Sequence, residues 1–162
     1  MTVAFQFAAV RQDDFDALVV LRITVMRDSL ERLGRFDPQR AAARFLSTFR
    51  PADMRHIVVD GVRAGCVAFW AEPPQAMRVE HFYLATPFQR RGLGGAVLAR
   101  LFDTAPAGTR LFRVGALRGS DANRFYQRHG FAKVGEDEWD IAYERGLELP
   151  SAPADRAPPP AP

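Results

Sequence analysis

The stretch of this chain with the clearest chemical potential is Gln89-Arg90-Arg91-Gly92-Leu93-Gly94-Gly95. It lies between an apolar strand pattern ending in Phe82-Tyr83-Leu84 and an apolar helix pattern beginning at Gly92. Glycines let the backbone turn tightly, so successive N–H groups and the helix N-terminus converge on one point. That arrangement suits a phosphate or pyrophosphate. No Gly-Lys-Ser/Thr follows, which argues against nucleotide triphosphate hydrolysis. The loop falls in mid-chain rather than after the first strand of a βαβ unit, which argues against the dinucleotide fingerprint. No His, Cys, Asp and Glu residues have metal-ligand spacing, so no metal is expected. Cys66 sits in a strand pattern and reads as a core residue. His56 and His129 read as structural or solvated, and His81 as a packed strand histidine.

The elements that must hold this loop follow from changes of hydrophobic period. Val3, Phe5 and Phe7 alternate as in a strand. Residues 13–33 have helical spacing closed by Gly34, and Asp37-Pro38 opens a second helix that Pro51 ends. HIVV and VRAGCVAFW flank Asp60-Gly61, a strong hairpin signal, and MRVEHFYLA is a fourth strand. Helix 92–104, strand 109–116, a short helix from Ser120 to His129, and the strands FAKVG and EWDIAYE complete the order β-α-α-β-β-β-α-β-α-β-β. Early hairpins followed by helical crossovers imply an α/β mixed sheet with helices on both faces.

Composition narrows the class. The 162 residues are 48% apolar and 25% charged, enough for one domain with a real core. The net charge is +3 and all but one of the 22 basic residues are arginine, with acids interleaved throughout. No stacked basic face suggests a nucleic-acid partner. No apolar run approaches the roughly 18–20 residues of a membrane span. MTVAFQFAAVRQDD lacks the pattern of a secretory signal, and a single cysteine requires no oxidising compartment. A cytoplasmic setting is expected. PSAPADRAPPPAP, residues 150–162, is proline-rich without large apolar side chains and reads as a disordered tail, leaving residues 1–149 as the domain.

Gln89-x-x-Gly92-x-Gly94 resembles the Q/R-x-x-G-x-G/A signature of the GNAT superfamily of acetyl-CoA-dependent N-acetyltransferases. The preceding Phe82-Tyr83-Leu84 and Pro87, the segment Asn123-Arg124-Phe125-Tyr126 through His129-Gly130-Phe131, and the element order across 1–149 resemble the family too. The resemblance implies about seven mostly antiparallel strands, with acetyl-CoA as co-substrate and a small-molecule or peptide amine as acceptor. The backbone of Gln89, Arg90, Arg91, Gly92, Leu93 and Gly94, extending to Gly95, would cradle the pyrophosphate. The edge of Phe82, Tyr83 and Leu84 would pair with the pantetheine arm, and Tyr126 would protonate the departing thiolate. A packed helix tyrosine is the alternative for Tyr126. Homodimer formation is left open, as is a catalytically inactive acyl-CoA-binding sensor or scaffold of the same fold.

Two departures from the family pattern matter. Where many members carry a cofactor-contacting Asn before the tyrosine, this chain has Ser120, a good helix N-cap and a candidate contact. The strand LFRVGAL lacks the Glu that some members use as base. An ammonium with pKa near 10.4 leaves only about one neutral amine in a few thousand at pH 7, so a base is wanted. Glu80 is the first candidate: period-two alternation puts it on the face of Phe82 and Leu84, with His81 opposite. A solvated or salt-bridged carboxylate is the alternative. For the acceptor, Arg27, Glu31, Arg35, Asp37, Trp139 and Asp140 are candidate lining residues, or simply a solvated surface.

Overall fold

Asp60 and Gly61 both adopt positive φ, 49° and 78°, and make the two-residue turn their types favour. The turn joins β2 (Met54–Val59) to β3 (Val62–Glu72). A computed structural model describes residues 3–147; the expected tail over 150–162 lies outside the described residues. Before the hairpin come β1 (Gln6–Ala9), α1 (Phe15–Arg32) and α2 (Pro38–Thr48), and after it β4 (Ala76–Leu84). Then follow α3 (Leu93–Asp103), β5 (Leu111–Leu117), α4 (Asp121–Arg128), β6 (Ala132–Glu136) and β7 (Asp140–Gly146). The element order is the expected one. The first strand starts later than the alternation of Val3, Phe5 and Phe7 suggests, because its partner β2 pairs only with Gln6 to Ala9.

The seven strands form one sheet in the order β1-β2-β3-β4-β5-β7-β6, antiparallel except for β4 against β5. One face packs on α3 and α4 through Met77, Val79, Val97, Leu98, Phe112 and Tyr126. The other carries α1 and α2 through Leu18, Phe45, Met54, Cys66 and Ala68. Helix α2 begins as expected: the Asp37 carboxylate accepts from the Arg40 backbone N–H at 3.1 Å, with Pro38 in the first turn. Helix α1 enters through a single 3₁₀ turn over Gln12–Asp14. Asp14 there accepts from Arg11 N–H at 2.9 Å and Arg63 at 2.8 Å, and lies 3.0 Å from His56 Nε2. This locks helix entry to β2 and β3. The backbone N–H and the histidine hold its carboxyl down at about 2. Among the described residues no helix is long and apolar enough to cross a membrane.

Candidate active site

The parallel pair β4–β5 is hydrogen-bonded only from Ala76–Val79 to Leu111–Val114. Beyond that point the strands part. Residues 80–84 face a gap, while β5 remains paired with β7 as far as Leu117. The gap opens into a cleft of about 1740 Å³, lined among others by Glu80, Phe82, Tyr83, Leu84, Ala116 and Leu117. It is the natural place for an extended ligand, because the free backbone of a strand edge can add a partner.

A bulge in β4 at the mouth of the gap corrects one sequence expectation. Cys66 lies opposite Tyr83 and Ala68 opposite Glu80, so His81 and Phe82 together face Val67 alone. His81 takes φ 47° there. The extra residue breaks the period of two. Phe82 and Leu84 pack on the α3–α4 side, whereas Glu80 shares its face with Ala68 on the α1–α2 side. His81, expected opposite Glu80, lies on that side as well, its ring 4.8 Å edge-on from Phe45. Gly65, opposite Leu84, makes the close strand approach possible: a Cβ there would run into the Tyr83 carbonyl oxygen.

At one end of the cleft the glycine loop turns into α3. Arg90 and Gly92 have φ of 59° and 80°, and the first helical hydrogen bond is Ala96 N–H to Gly92 carbonyl at 3.0 Å. The N–H groups of Leu93, Gly94 and Gly95 therefore lack intrahelical acceptors. Gln89 donates its side-chain amide to the Leu84 carbonyl at 2.8 Å, tying loop to strand. Gln89, Arg90, Gly92, Gly94 and Gly95 line the cleft; Arg91 is exposed outside it, and Leu93 puts its side chain in the core. Gly94 and Gly95 also serve packing. Added Cβ atoms would lie 3.0 Å from the Phe125 ring and 2.8 Å from His129 Nε2, so their small size sets how closely α3 meets α4.

Helix α4 carries Tyr126, which lines the cleft although it is only 6% exposed. Its ring is wedged among Phe125, Phe131 and Tyr143. Burial raises its phenol well above the usual range, so it stays protonated throughout the neutral region. Ser120 occupies the N-cap position and lines the cleft, but its hydroxyl accepts no helix N–H; the Asn123 amide lies 3.3 Å from it. Asn123 is the real anchor of this helix. It donates to the Leu117 and Ser120 carbonyls at 2.9 Å and accepts from the Tyr143 hydroxyl at 2.8 Å.

Across the sheet the α1–α2 wall is polar. Glu80 is half-buried, and no cation lies within 4 Å of it among the described residues. Burial raises its carboxyl, against the opposing pull of Arg78, Arg44 and Arg50. His81 lies 2.8 Å from Thr48 Oγ1 and 3.3 Å from the Tyr83 hydroxyl. Burial and then Arg22 push its pKa down to about 4, which makes it a weak base. Arg22 donates to the Tyr83 hydroxyl at 3.0 Å, and burial lifts that phenol to about 12. Arg22 and Arg44 were not among the residues that the sequence singled out. For Arg22 a signal existed: it falls four residues after Leu18 on the buried stripe of α1.

The α1–α2 connection meets the β6–β7 turn over the cleft. Arg35 bonds Glu138 at 3.1 Å and Arg44 bonds Asp140 at 3.0 Å. The Arg35 and Arg40 guanidiniums lie 3.7 and 4.5 Å from the Trp139 ring centre. Of the other acceptor candidates, Arg27 pairs with Glu31 at 2.9 Å on the helix surface. Among the described residues no group of three or more His, Cys, Asp and Glu is placed to hold a metal.

Residues 52–133 match the acetyltransferase (GNAT) domain family. Solved structures share the architecture at low identity. An acetyltransferase from Thermus thermophilus is 18% identical with a TM-score of 0.69, over 91% of this chain and 100% of that one. The PaiA N-acetyltransferase from Thermoplasma acidophilum, solved with coenzyme A, is 13% identical with a TM-score of 0.64, over 89% and 99%. N-acetylglutamate synthase from Neisseria gonorrhoeae, complexed with coenzyme A and L-arginine, is 15% identical with a TM-score of 0.63. This chain covers it with 90% of its own residues but spans only 34% of that protein. No curated protein matches the sequence.

Proposed function

Since the chain belongs to the GNAT acetyltransferase family, we propose that it transfers an acetyl group from acetyl-CoA to a primary amine by direct attack. The observation that carries this reading is the parting of β4 and β5. A strand edge, a glycine loop with free N–H groups, a buried phenol and a carboxylate unpaired among the described residues all line one cleft there. These features fit the cofactor: N–H donors suit a pyrophosphate and a free strand edge suits an amide-bearing pantetheine arm. Gln89 to Gly95 would hold the first, Phe82 to Leu84 the second, and Ser120 would add a contact. When bound, acetyl-CoA supplies an activated acyl group, which leaves sulfur for nitrogen as the C–N bond forms and the C–S bond breaks.

The chain's own groups manage the protons. Glu80 takes one from the incoming ammonium, directly or through water, so that the nitrogen lone pair is free. Its raised pKa brings it closer to the working pH, where a base is most effective. Tyr126 gives one to the departing sulfur, and the second proton that the nitrogen sheds as the amide forms restores the phenol. The bulge puts these two groups on opposite faces of the sheet, so the amine would enter from the α1–α2 side of the gap. Residues 1–149 form the acetyltransferase domain in this reading, and 150–162 are a tail outside it. A cytoplasmic setting belongs to the same reading.

Gly92→Asp tests it. Aspartate tolerates the left-handed backbone at this position better than most residues and is favoured at helix starts, while its charge would repel a pyrophosphate. The variant should fold, melting a few degrees lower for the left-handed backbone at Gly92, and lose the stabilisation that acetyl-CoA gives the wild type. Free-thiol release with a panel of amines then separates an enzyme from a binding module. Equal stabilisation in both proteins would remove the loop from the cofactor site, and binding without turnover of any amine would leave a sensor.

A further inference from the structure

Building on the acetyl-transfer reading, we infer that the acceptor amine also carries a carboxylate, and that Arg22 binds it. Arg22 is 8% exposed and lines the cleft. Its guanidinium lies between the Phe45 and Tyr83 rings, 5.9 Å from each centre. An arginine stays charged at any working pH, and a buried charge is ordinarily paired. Among the described residues no carboxylate lies within 4 Å of Arg22. Of the other arginines on this wall, Arg44 pairs with Asp140, Arg35 with Glu138 and Arg78 with Glu72, while Arg40 lies over the Trp139 ring.

The donor pattern says which ligand fits. Nη1 is engaged by the Tyr83 hydroxyl at 3.0 Å and lies 3.4 Å from His81 Nδ1. Nε is sealed from solvent with no partner, and Nη2 has none among the described residues. The Nε–Nη2 edge is therefore left over. Of the two, Nη2 is the donor open to the cleft, and a charge-assisted bond from it to one oxygen of a carboxylate supplies the missing counter-charge beside Nε. Glu80 lies on the same side of the sheet and is not the counter-ion of Arg22. Amine toward Glu80 and carboxylate toward Arg22 would match an amino-acid zwitterion, charge for opposite charge. The Phe45 and Tyr83 rings shield the Arg22 side of this pair from water and strengthen that contact.

The test uses the full chain, with and without saturating CoA. Calorimetric titration compares α-, β- and γ-amino acids with the primary amides of the same skeletons, and glycine with aminomethylphosphonate. At least one free acid should bind the wild type ten or more times tighter than its amide. Arg22→Met should bring that pair within threefold and leave CoA affinity unchanged. Equal binding of acid and amide in every pair overturns the assignment, as does a preference that survives Arg22→Met or a phosphonate bound more tightly than glycine. The wild-type comparison stands even if the variant does not fold. Thiol release from acetyl-CoA with the same pairs is read separately. Acid-selective binding without turnover sinks acetyl transfer and keeps the carboxylate site; equal turnover of acids and amides keeps transfer and sinks the site.

Discussion

Two side chains set the pH behaviour of the proposed reaction, and their environments differ in kind. Tyr126 is held protonated by burial. Tyr126→Phe removes one hydroxyl from a ring whose packing on Phe125, Phe131 and Tyr143 stays. Loss of a general acid costs about 10²–10⁴-fold in rate, so kcat should fall at least about tenfold while the Kd for acetyl-CoA hardly moves. Glu80 is raised by burial. Its ionised form therefore weakens the fold: its contribution to stability is full below the unfolded-state pKa and is lost as pH rises through the higher folded value. Glu80→Gln should melt above the wild type at pH 8 and converge with it near pH 4. Its rate profile should move to higher pH, because the amine must then lose its proton to solvent. An unmoved profile from pH 6 to 10 would take the base role away from Glu80.

At the scale of elements, the β4 bulge is what separates the two proton-handling groups, and beside it a residue of another strand sets how closely β3 and β4 approach. Gly65 of β3 lies where a Cβ would run into the Tyr83 backbone oxygen. A backbone atom cannot swing aside as a side chain can. Gly65→Ala should therefore cost about 1–3 kcal/mol, the usual range for overpacking, or a melting-point fall of about 3–10 °C for a domain this size. It should also weaken acetyl-CoA binding, because Tyr83 and Leu84 are the edge proposed to receive the pantetheine arm. Unchanged affinity in the folded variant would mean that this edge is not used. Gly94 and Gly95 act differently: their role in the structure is to let α3 lie close against Phe125 and His129.

For the molecule as a whole, the cleft has a closed side where the α1–α2 connection reaches the β6–β7 turn. Ion pairs between exposed groups contribute little to stability. The Trp139 ring under two guanidiniums is the more directional contact, worth about 0.5–1 kcal/mol for each cation. Trp139→Ala should lower the melting temperature by about 2–8 °C and leave acetyl-CoA affinity unchanged. The acceptor KM should rise roughly tenfold, as expected for about 1.4 kcal/mol. An unchanged KM would confine this arch to holding surface loops together.

Order and type of the elements were legible in the sequence because their signals are local. Asp60-Gly61 selects its turn, Asp37-Pro38 starts α2, and Gly130, with φ 84°, ends α4. The loop from Gln89 to Gly95 was legible for the same reason: glycine spacing at a strand–helix junction needs no distant partner. The face of Glu80 was not. Alternation alone put it with Phe82 and Leu84, and the bulge that moved it appears only in the pairing of β4 with β3, beside the close approach at Gly65, fifteen positions earlier. Arg22 stood in plain view on the apolar stripe of α1. Only the packing of that helix against Phe45 of α2 and Tyr83 of β4 leaves its charge buried with no carboxylate beside it among the described residues. Local backbone preference is written residue by residue, whereas the surroundings of a side chain are set by segments that meet only when the sheet closes.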